Sequence, residues 1–253
     1  MAVWNPWSGC HKYSEGCKFC YIHKGDAKRG IDTNIVYKTD KFALPIDKMK
    51  RSGEYKLKPN QTVYLCFRSD FFIEDADQWR AECWKIMKIR SDLHFIFLTK
   101  RIDRFYSCIP DDWGKGYDNV TIGCTIENQE SADKRLSKFR ELPVKHKNII
   151  CQPLIEQVNI IEYLENIELV VVGGESDREA RLLDYDWVLD IREQCIKKNT
   201  DFQFRQCGTH FKKDGKIYNL NVRNLCSQAR KSNIDYSFDY EKKYKDSADT
   251  VST

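Results

Sequence analysis

Leu169-Val170-Val171-Val172-Gly173-Gly174-Glu175-Ser176 is the stretch on which the fold turns. Its aliphatic run has no polar face. Strands of that kind are covered on both sides, as in parallel sheets flanked by helices. Working outward, five further runs of β-branched, aromatic and aliphatic residues read as strands: Thr62–Phe67, His94–Leu98, Val120–Thr125, Asn148–Cys151 and Phe202–Arg205. Ala2–Trp4 is a weaker seventh. Between them the period becomes helical. Asp75–Arg90 follows an acidic start with Trp79, Cys83, Ile86 and Met87 on one face, and Gln129–Leu142 aligns Ala132, Leu136 and Phe139. Val158–Asn166 behaves similarly, as does Tyr185–Asn199 through Trp187, Val188, Ile191 and Cys195. A further helix is expected around Leu44–Arg51, with a loop at Pro59-Asn60. Strand alternating with helix predicts an α/β fold of parallel strands joined by crossover helices.

The chain has 253 residues, 41% hydrophobic and 32% charged, enough for one large domain with a substantial core. No Gly/Ser-rich or Pro-rich linker divides it, so the reading is a body over residues 1–211 and a polar extension over 212–253. The tail Ser247–Thr253 is expected to be disordered. No apolar run is long enough to span a bilayer, and the N-terminal residues lack the charged-then-apolar pattern of an export signal. A cytoplasmic protein with no membrane partner is expected. Eleven cysteines, an odd number in a chain of this length, then read as reduced thiols. The net charge of +4, from 42 basic and 38 acidic residues, permits nucleic-acid binding without arguing for it.

Near the N-terminus, Cys10-His11-Lys12-Tyr13-Ser14-Glu15-Gly16-Cys17-Lys18-Phe19-Cys20 gathers three thiols, with six residues between the first two and two between the last pair. Thiolate is a soft ligand, and a loop of this length can bring three of them onto one metal centre. Three protein ligands leave a coordination position open, whereas a closed structural zinc site takes four. A cluster with one open iron and a zinc site completed by His11 both fit this spacing. The other cysteines fall mostly on apolar faces, Cys66, Cys124 and Cys151 in strands and Cys83 and Cys195 in helices, and read as buried thiols. Cys207 differs, because it ends the last strand before Gly208; it reads as a fourth ligand or a thiol facing a cavity.

In parallel α/β folds, chemistry gathers at the carboxyl ends of the strands. The expected strands run into Arg68-Ser69-Asp70, Thr99-Lys100-Arg101, Glu127-Asn128-Gln129, Gln152-Pro153, Gly173-Gly174-Glu175-Ser176 and Arg205-Gln206, and the cysteine loop follows the first strand. Lys100-Arg101 reads as an anion clamp or as a solvated helix start. Asp70 and Glu127 read as acceptors for hydroxyl or amino groups, or as helix caps. Gly173-Gly174 suggests close approach of backbone to a ligand, though the spacing of a dinucleotide fingerprint is absent.

Cys17-Lys18-Phe19-Cys20 resembles the second half of the cysteine motif of radical S-adenosylmethionine enzymes, whose first two cysteines usually have three residues between them rather than six. Trp4-Asn5-Pro6-Trp7-Ser8-Gly9-Cys10, with Ser69-Asp70-Phe71-Phe72, Leu98-Thr99-Lys100-Arg101, Glu127-Asn128-Gln129, Gly173-Gly174-Glu175-Ser176 and Phe204-Arg205-Gln206, is similar to the phage-associated, radical-SAM-like three-cysteine family of unassigned function. This chain departs from that family at Gln152, at Cys207 and at Arg181-Leu182-Leu183. The resemblance implies a partial (β/α)6 TIM-like barrel with a 4Fe–4S cluster on Cys10, Cys17 and Cys20. S-adenosylmethionine would bind the open iron, and an external one-electron reductant such as flavodoxin or ferredoxin would supply the electron. Phe19 would border the adenine, Asp70 or Ser69 would take the methionine amino group, and Glu127 the ribose hydroxyls. Lys100 or Arg205 would hold the methionine carboxylate. Glu175, Arg181 and Cys207 would face a substrate, for which nucleic acid or a nucleotide is the first expectation. Phe19, Tyr21, Trp4 and Trp7 would shield the cluster. The alternative is a non-catalytic zinc or iron–sulfur module associated with nucleic acid, and a third reading is a redox protein that uses no S-adenosylmethionine.

Overall fold

Residues 2–238 are described by the computed structural model. In chain order it contains β1 (Ala2–Trp4), β2 (Trp7–Ser8), α1 (Tyr21–Ala27), β3 (Tyr37–Lys38), β4 (Thr62–Leu65), α2 (Asp77–Ile89), β5 (His94–Thr99), α3 (Phe105–Cys108) and β6 (Val120–Ile126). There follow α4 (Gln129–Phe139), β7 (His146–Cys151), β8 (Leu169–Gly173), β9 (Leu182–Asp184), α5 (Tyr185–Lys197), β10 (Asp201–Gln206), β11 (His210–Lys213), β12 (Lys216–Asn219) and α6 (Leu225–Lys231). All seven strands expected from sequence are present. They pair in the order β1-β4-β5-β6-β7-β8-β10, so the protein is a mixed α/β fold with a parallel sheet. Among the described residues no helix is long and apolar enough to cross a membrane.

The chain divides into two units, Met1–Thr125 with Arg135–Lys147, and Ile126–Lys134 with Asn148–Thr253. In the first, β1, β4, β5 and β6 lie in parallel register, for example Val63 beside Phe95 and Phe97 beside Ile122. Every residue of β6 is buried, which accounts for its uninterrupted apolar character. An aromatic cluster fills the core: Phe71 lies 5.3 Å from Trp7, 5.0 Å from Trp84 and 4.5 Å from Phe97 between ring centroids. Each such pair adds about 0.5–1.5 kcal/mol beyond area burial. In the second unit β8 pairs with β10, and β11 joins β12 antiparallel and β9 parallel. Residues 212–238 are therefore folded into this unit; the expectation for Ser247–Thr253 falls outside the described residues.

Three expectations need correction. Around Leu44–Arg51 only a 3-10 turn, Leu44–Ile46, forms, because the chain reverses at Gly53 and pairs Lys48 with Tyr55. Over Val158–Asn166 only Ile161–Tyr163 is helical, again as a 3-10 turn. Side chains take the backbone there: Gln194 accepts from Ile160 N at 2.7 Å and donates to Val158 O, while Gln129 accepts from Asn159 N. These distant side chains compete with the i→i−4 ladder for the backbone groups. The strand expected over Thr62–Phe67, β4, stops at Leu65, since Cys66 adopts φ 54°, outside the strand region.

Candidate metal and cofactor site

The cysteine loop begins where β1 and β2 end, and bonds from distant parts of the first unit hold it. Gly9 N donates to Arg68 O at 3.2 Å and Cys10 N to Thr33 O at 2.8 Å. The Ser69 hydroxyl donates to Gly9 O at 2.5 Å, and Arg101 Nη2 to His11 O at 3.0 Å. Gly9 is required here: its φ is +100°, and a Cβ would stand 2.3 Å from the Ile35 carbonyl oxygen. Cys17 ends a 3-10 turn, Glu15–Cys17, and Cys20 is the N-cap of α1, so both thiols sit in local turn structure.

Beneath the loop, Asp26 is a buried hub. It accepts from Arg68 Nη2 at 2.7 Å, from Thr33 Oγ1 at 3.1 Å and from Arg29. Burial pushes its carboxyl up, but hydrogen bonds from Arg68, Arg29 and Thr33 and the Arg68 charge outweigh this and leave it below the ordinary carboxylate value. Arg68 Nε also donates to Ser8 Oγ at 2.9 Å. The two residues whose carbonyls clamp Gly9 and Cys10 are thus tied to one carboxylate.

Asp70 follows β4 and sits beside the loop. Its carboxylate accepts from Thr99 Oγ1 at 2.7 Å, Phe72 N at 2.9 Å and Lys100 N at 2.9 Å, and pairs with Arg101 at 3.2 Å. Both members of that pair are buried. Such a pair is weak evidence for stability, but it sets orientation. The Arg101 guanidinium also lies near enough to the Cys10 thiol for their charges to interact. Burial pushes that thiol up to about 12; Asp70, Cys17 and Cys20 add to the effect, and the Arg101 charge opposes it. Tyr13 lies between two guanidinium groups, 4.9 Å from Arg101 and 5.4 Å from Arg135, and its hydroxyl donates to Asp103.

The donor set suits a soft metal. All three loop cysteines are free and partly exposed, and they are near enough that charge on two of them raises the third. Among the described residues, no group of three or more His, Cys, Asp or Glu side chains is gathered in metal-holding geometry. His11 Nε2 pairs with Asp75 at 3.0 Å, which leaves Nδ1 facing elsewhere. Of the expected shielding residues, Trp4 and Trp7 are fully buried, whereas Tyr21 is 61% exposed, with its hydroxyl on Phe67 O. Phe19 is half-buried under the ammonium groups of Lys18 and Lys24, at 5.2 and 5.0 Å. Lys100 is half-buried.

The first unit therefore brings together Cys10, Cys17, Cys20, Ser69, Asp70 and Lys100. Phe19 also lies in this unit, and the other expected residues, Glu127, Glu175, Arg181, Arg205 and Cys207, belong to the second. Glu127 is buried, with its backbone joined to Ser131 Oγ and Ile155 N. Glu175 is buried and accepts from Arg181 N at 2.7 Å and from the Arg181 guanidinium. Arg205 is exposed where the β10 register shifts. Cys207 is buried at the end of β10. Gly173-Gly174 has a structural cause: a Cβ on Gly174 would stand 2.5 Å from Gly208 Cα, and one on Gly173 2.9 Å from Gln152 Cδ. The close approach foreseen for a ligand is one of chain to chain. Asp26, Thr33 and Ile35 were missed as loop supports. The one pointer was Gly9 beside Cys10, which marks a backbone constraint without saying what imposes it.

No curated protein and no solved structure matches the chain. A family model described as a protein of unknown function (DUF5131) matches residues 1–248, and the chain belongs to that family.

Proposed function

We propose that this protein is a radical S-adenosylmethionine enzyme with a 4Fe–4S cluster on Cys10, Cys17 and Cys20. The observation that carries this reading is a three-thiol loop at the carboxyl ends of parallel strands, backed by Asp70, Lys100 and Arg101. The partial (β/α)6 barrel is the finer fold that accompanies it. When bound, the cluster would supply the electron that cleaves S-adenosylmethionine to methionine and a 5′-deoxyadenosyl radical.

The chain's own residues would position and shield. Cys10, Cys17 and Cys20 would each give up a proton to become ligands, and Arg101 is the cation that eases this for Cys10. Gly9, Ser69 and the carbonyls of Arg68 and Thr33 would hold the loop in register. Lys100 offers a cation to a carboxylate, while Asp70 already serves Arg101 and Thr99 and so acts by orienting them. Trp7 and Phe71 exclude water below. Glu127 and Arg205 remain the candidates for cofactor contacts in the second unit, and Glu175, Arg181 and Cys207 for substrate, with nucleic acid or a nucleotide as the class. Flavodoxin or ferredoxin is the proposed electron donor and the cytoplasm the proposed compartment.

One observation favours a second reading. The His11–Asp75 pair is the arrangement by which a carboxylate orients a ligating imidazole, so zinc on the three cysteines and His11 Nδ1 is the alternative. A single preparation separates them. Protein reconstituted without oxygen is reduced with dithionite, given S-adenosylmethionine and assayed for 5′-deoxyadenosine, beside Cys17→Ala. The expected result is a brown protein whose product depends on Cys17. An assembled cluster that neither binds nor cleaves the cofactor refutes the enzyme, and a colourless zinc protein establishes the alternative.

A further inference from the structure

The chain's net charge is concentrated in one short hairpin of the first unit. Residues 48–58 carry Lys48, Lys50, Arg51, Lys56 and Lys58 against Glu54 alone, as much net charge as the +4 of all 253 residues, so the rest of the chain is neutral on balance. The segment has an ordered backbone. Lys48 pairs antiparallel with Tyr55, Met49 N donates to Glu54 O at 2.8 Å, Lys56 N donates to Asp47 O at 2.8 Å, and Gly53 turns the tip at φ +72°. Arg90, just past α2, anchors it by donating to Pro45 O and to Leu57 O at 2.8 Å, with its guanidinium 4.2 Å from the Tyr55 ring centroid. All five cations are exposed. Lys56 is engaged by Asp47 at 3.1 Å, and the Lys48 ammonium lies 5.2 Å from the Tyr55 ring centroid. Lys50 and Arg51 stand at the tip, and Lys58 follows on the segment that enters β4. There Asn60 N donates to Asp92 O, just before β5, so the hairpin is rooted at the amino ends of the strands, opposite the cysteine loop.

Charge of one sign, exposed to water on an ordered scaffold, selects a polyanion. Acidic proteins, anionic membranes and nucleic acids all qualify, and composition separates them. Protein interfaces are poor in lysine and built on aromatic and apolar anchors. Here lysine supplies four of the five cations, and Met49, 41% exposed, is the one exposed large hydrophobic side chain of the hairpin. Binding at a membrane surface needs an apolar face beside the cations, which the same poverty in apolar groups denies. A phosphodiester backbone needs neither, since Lys and Arg hold it as charges, and a two-stranded ribbon fits the major groove of B-form DNA. We infer that the hairpin over residues 48–58 is a docking site for the phosphodiester backbone of nucleic acid, held without regard to sequence by Lys48, Lys50, Arg51 and Lys58. It adds a holding surface to the nucleic-acid class proposed above and does not rest on the cysteine loop or its metal.

The test is fluorescence anisotropy of a short labelled DNA duplex, the matching RNA duplex and their single strands, titrated with the full chain free of metal at about 50 to 200 mM salt. Each phosphate neutralised contributes about −0.9 to the slope of log K against log salt on B-form DNA, and about −0.7 on a single strand. Four cations therefore predict a slope of about −3 to −4 on the DNA duplex, with affinity falling on the order of a hundredfold across that range. Lys50→Ala with Arg51→Ala and Lys58→Ala should bring the slope to about −1, whereas Lys50→Arg with Lys58→Arg should preserve it. The three side chains are exposed, so far-UV circular dichroism of either variant should match the parent's. Tighter binding of DNA or of RNA names the nucleic acid held, and equal binding marks a surface indifferent to the sugar. The inference is overturned if no probe binds at about 50 mM salt or if the triple alanine variant keeps the parent's slope. Polyglutamate or phosphatidylserine vesicles binding as tightly as nucleic acid also overturns it, in favour of an acidic protein or a membrane. Because the readout uses metal-free protein, its failure leaves the 5′-deoxyadenosine assay undecided, and failure of that assay leaves this binding standing.

Discussion

Replacing Asp26 with Asn tests whether one buried carboxylate organises the cysteine loop. The side chain keeps its size but loses its charge and presents an NH2 where it now only accepts. Hydrogen bonds to charged groups are worth about 1.5–3 kcal/mol. The Arg29 contribution falls to the surface range of about 0–1 kcal/mol, because its side chain is 54% exposed. Arg68, whose side chain is 31% exposed, keeps most of its value. Together these give a loss of about 2–3 kcal/mol, which at this size lowers Tm by roughly 5–10 °C. The pH dependence has a definite sign. A folded carboxyl held below its unfolded value of about 3.9 contributes its full stability above that value and loses it as pH falls through the folded one. The gap between parent and Asp26→Asn should hold steady from about pH 5 to 8 and narrow below about pH 4. Thermal unfolding by tryptophan fluorescence, with iron content after reconstitution as a second readout, measures both. A Tm change within about 1 °C at neutral pH, or a gap that widens on acidification, would refute the hub.

Gly9→Ala should be more damaging to the site than to the fold. The added methyl meets the Ile35 carbonyl and demands a left-handed backbone, so iron or zinc uptake should fall severalfold while far-UV circular dichroism stays near the parent's. Arg90→Met should act on stability instead. Arg90 is fully buried and donates to Pro45 O, to Leu57 O at 2.8 Å and to Asp92, so its removal orphans the carbonyls of the 44–57 segment. A loss of about 3–5 kcal/mol in urea unfolding is expected, together with faster proteolysis of that segment; a loss below about 1 kcal/mol would show the segment is held otherwise.

The parallel strands were legible because each is a dense run of β-branched or aromatic residues covered on both faces, as β6 and Val170–Val172 illustrate. The small sheet of β9, β11 and β12 was not. His210-Phe211-Lys212-Lys213 and Lys216-Ile217-Tyr218-Asn219 are short and mostly polar, and every residue of β12 is exposed, so burial leaves no periodic trace. Helical period misled at Val158–Asn166 for the converse reason. Val158, Ile160, Leu164 and Ile167 are all buried as the pattern suggested, yet Gln194 and Gln129 occupy the backbone groups a helix would have used. Apolar spacing reports which residues face inward, and distant polar side chains decide the backbone path.

The same distinction runs through the site. Three cysteines at this spacing are the basis of the proposed ligand set, but spacing carries no information on which thiol is already in place. Cys10 and its neighbours Gly9 and His11 are held by long-range bonds to residues 33, 68 and 101, whereas Cys17 and Cys20 sit on 3-10 and α-helical ends closed by local bonds such as Cys17 N to Ser14 O and Cys20 N to Cys17 O. Short local turns open at little cost compared with contacts that are cooperative with the core. The cost of gathering three ligands is therefore met unequally. In the proposed cluster site, folding would have ordered Cys10 more firmly than Cys17 and Cys20, leaving mainly these turn-held thiols to be drawn in, a closure whose entropy grows slowly with length. On this argument, damage to the Asp26–Arg68–Thr33 support should weaken metal affinity even with all three thiols intact, because it returns to the binding step an ordering cost that the fold had carried.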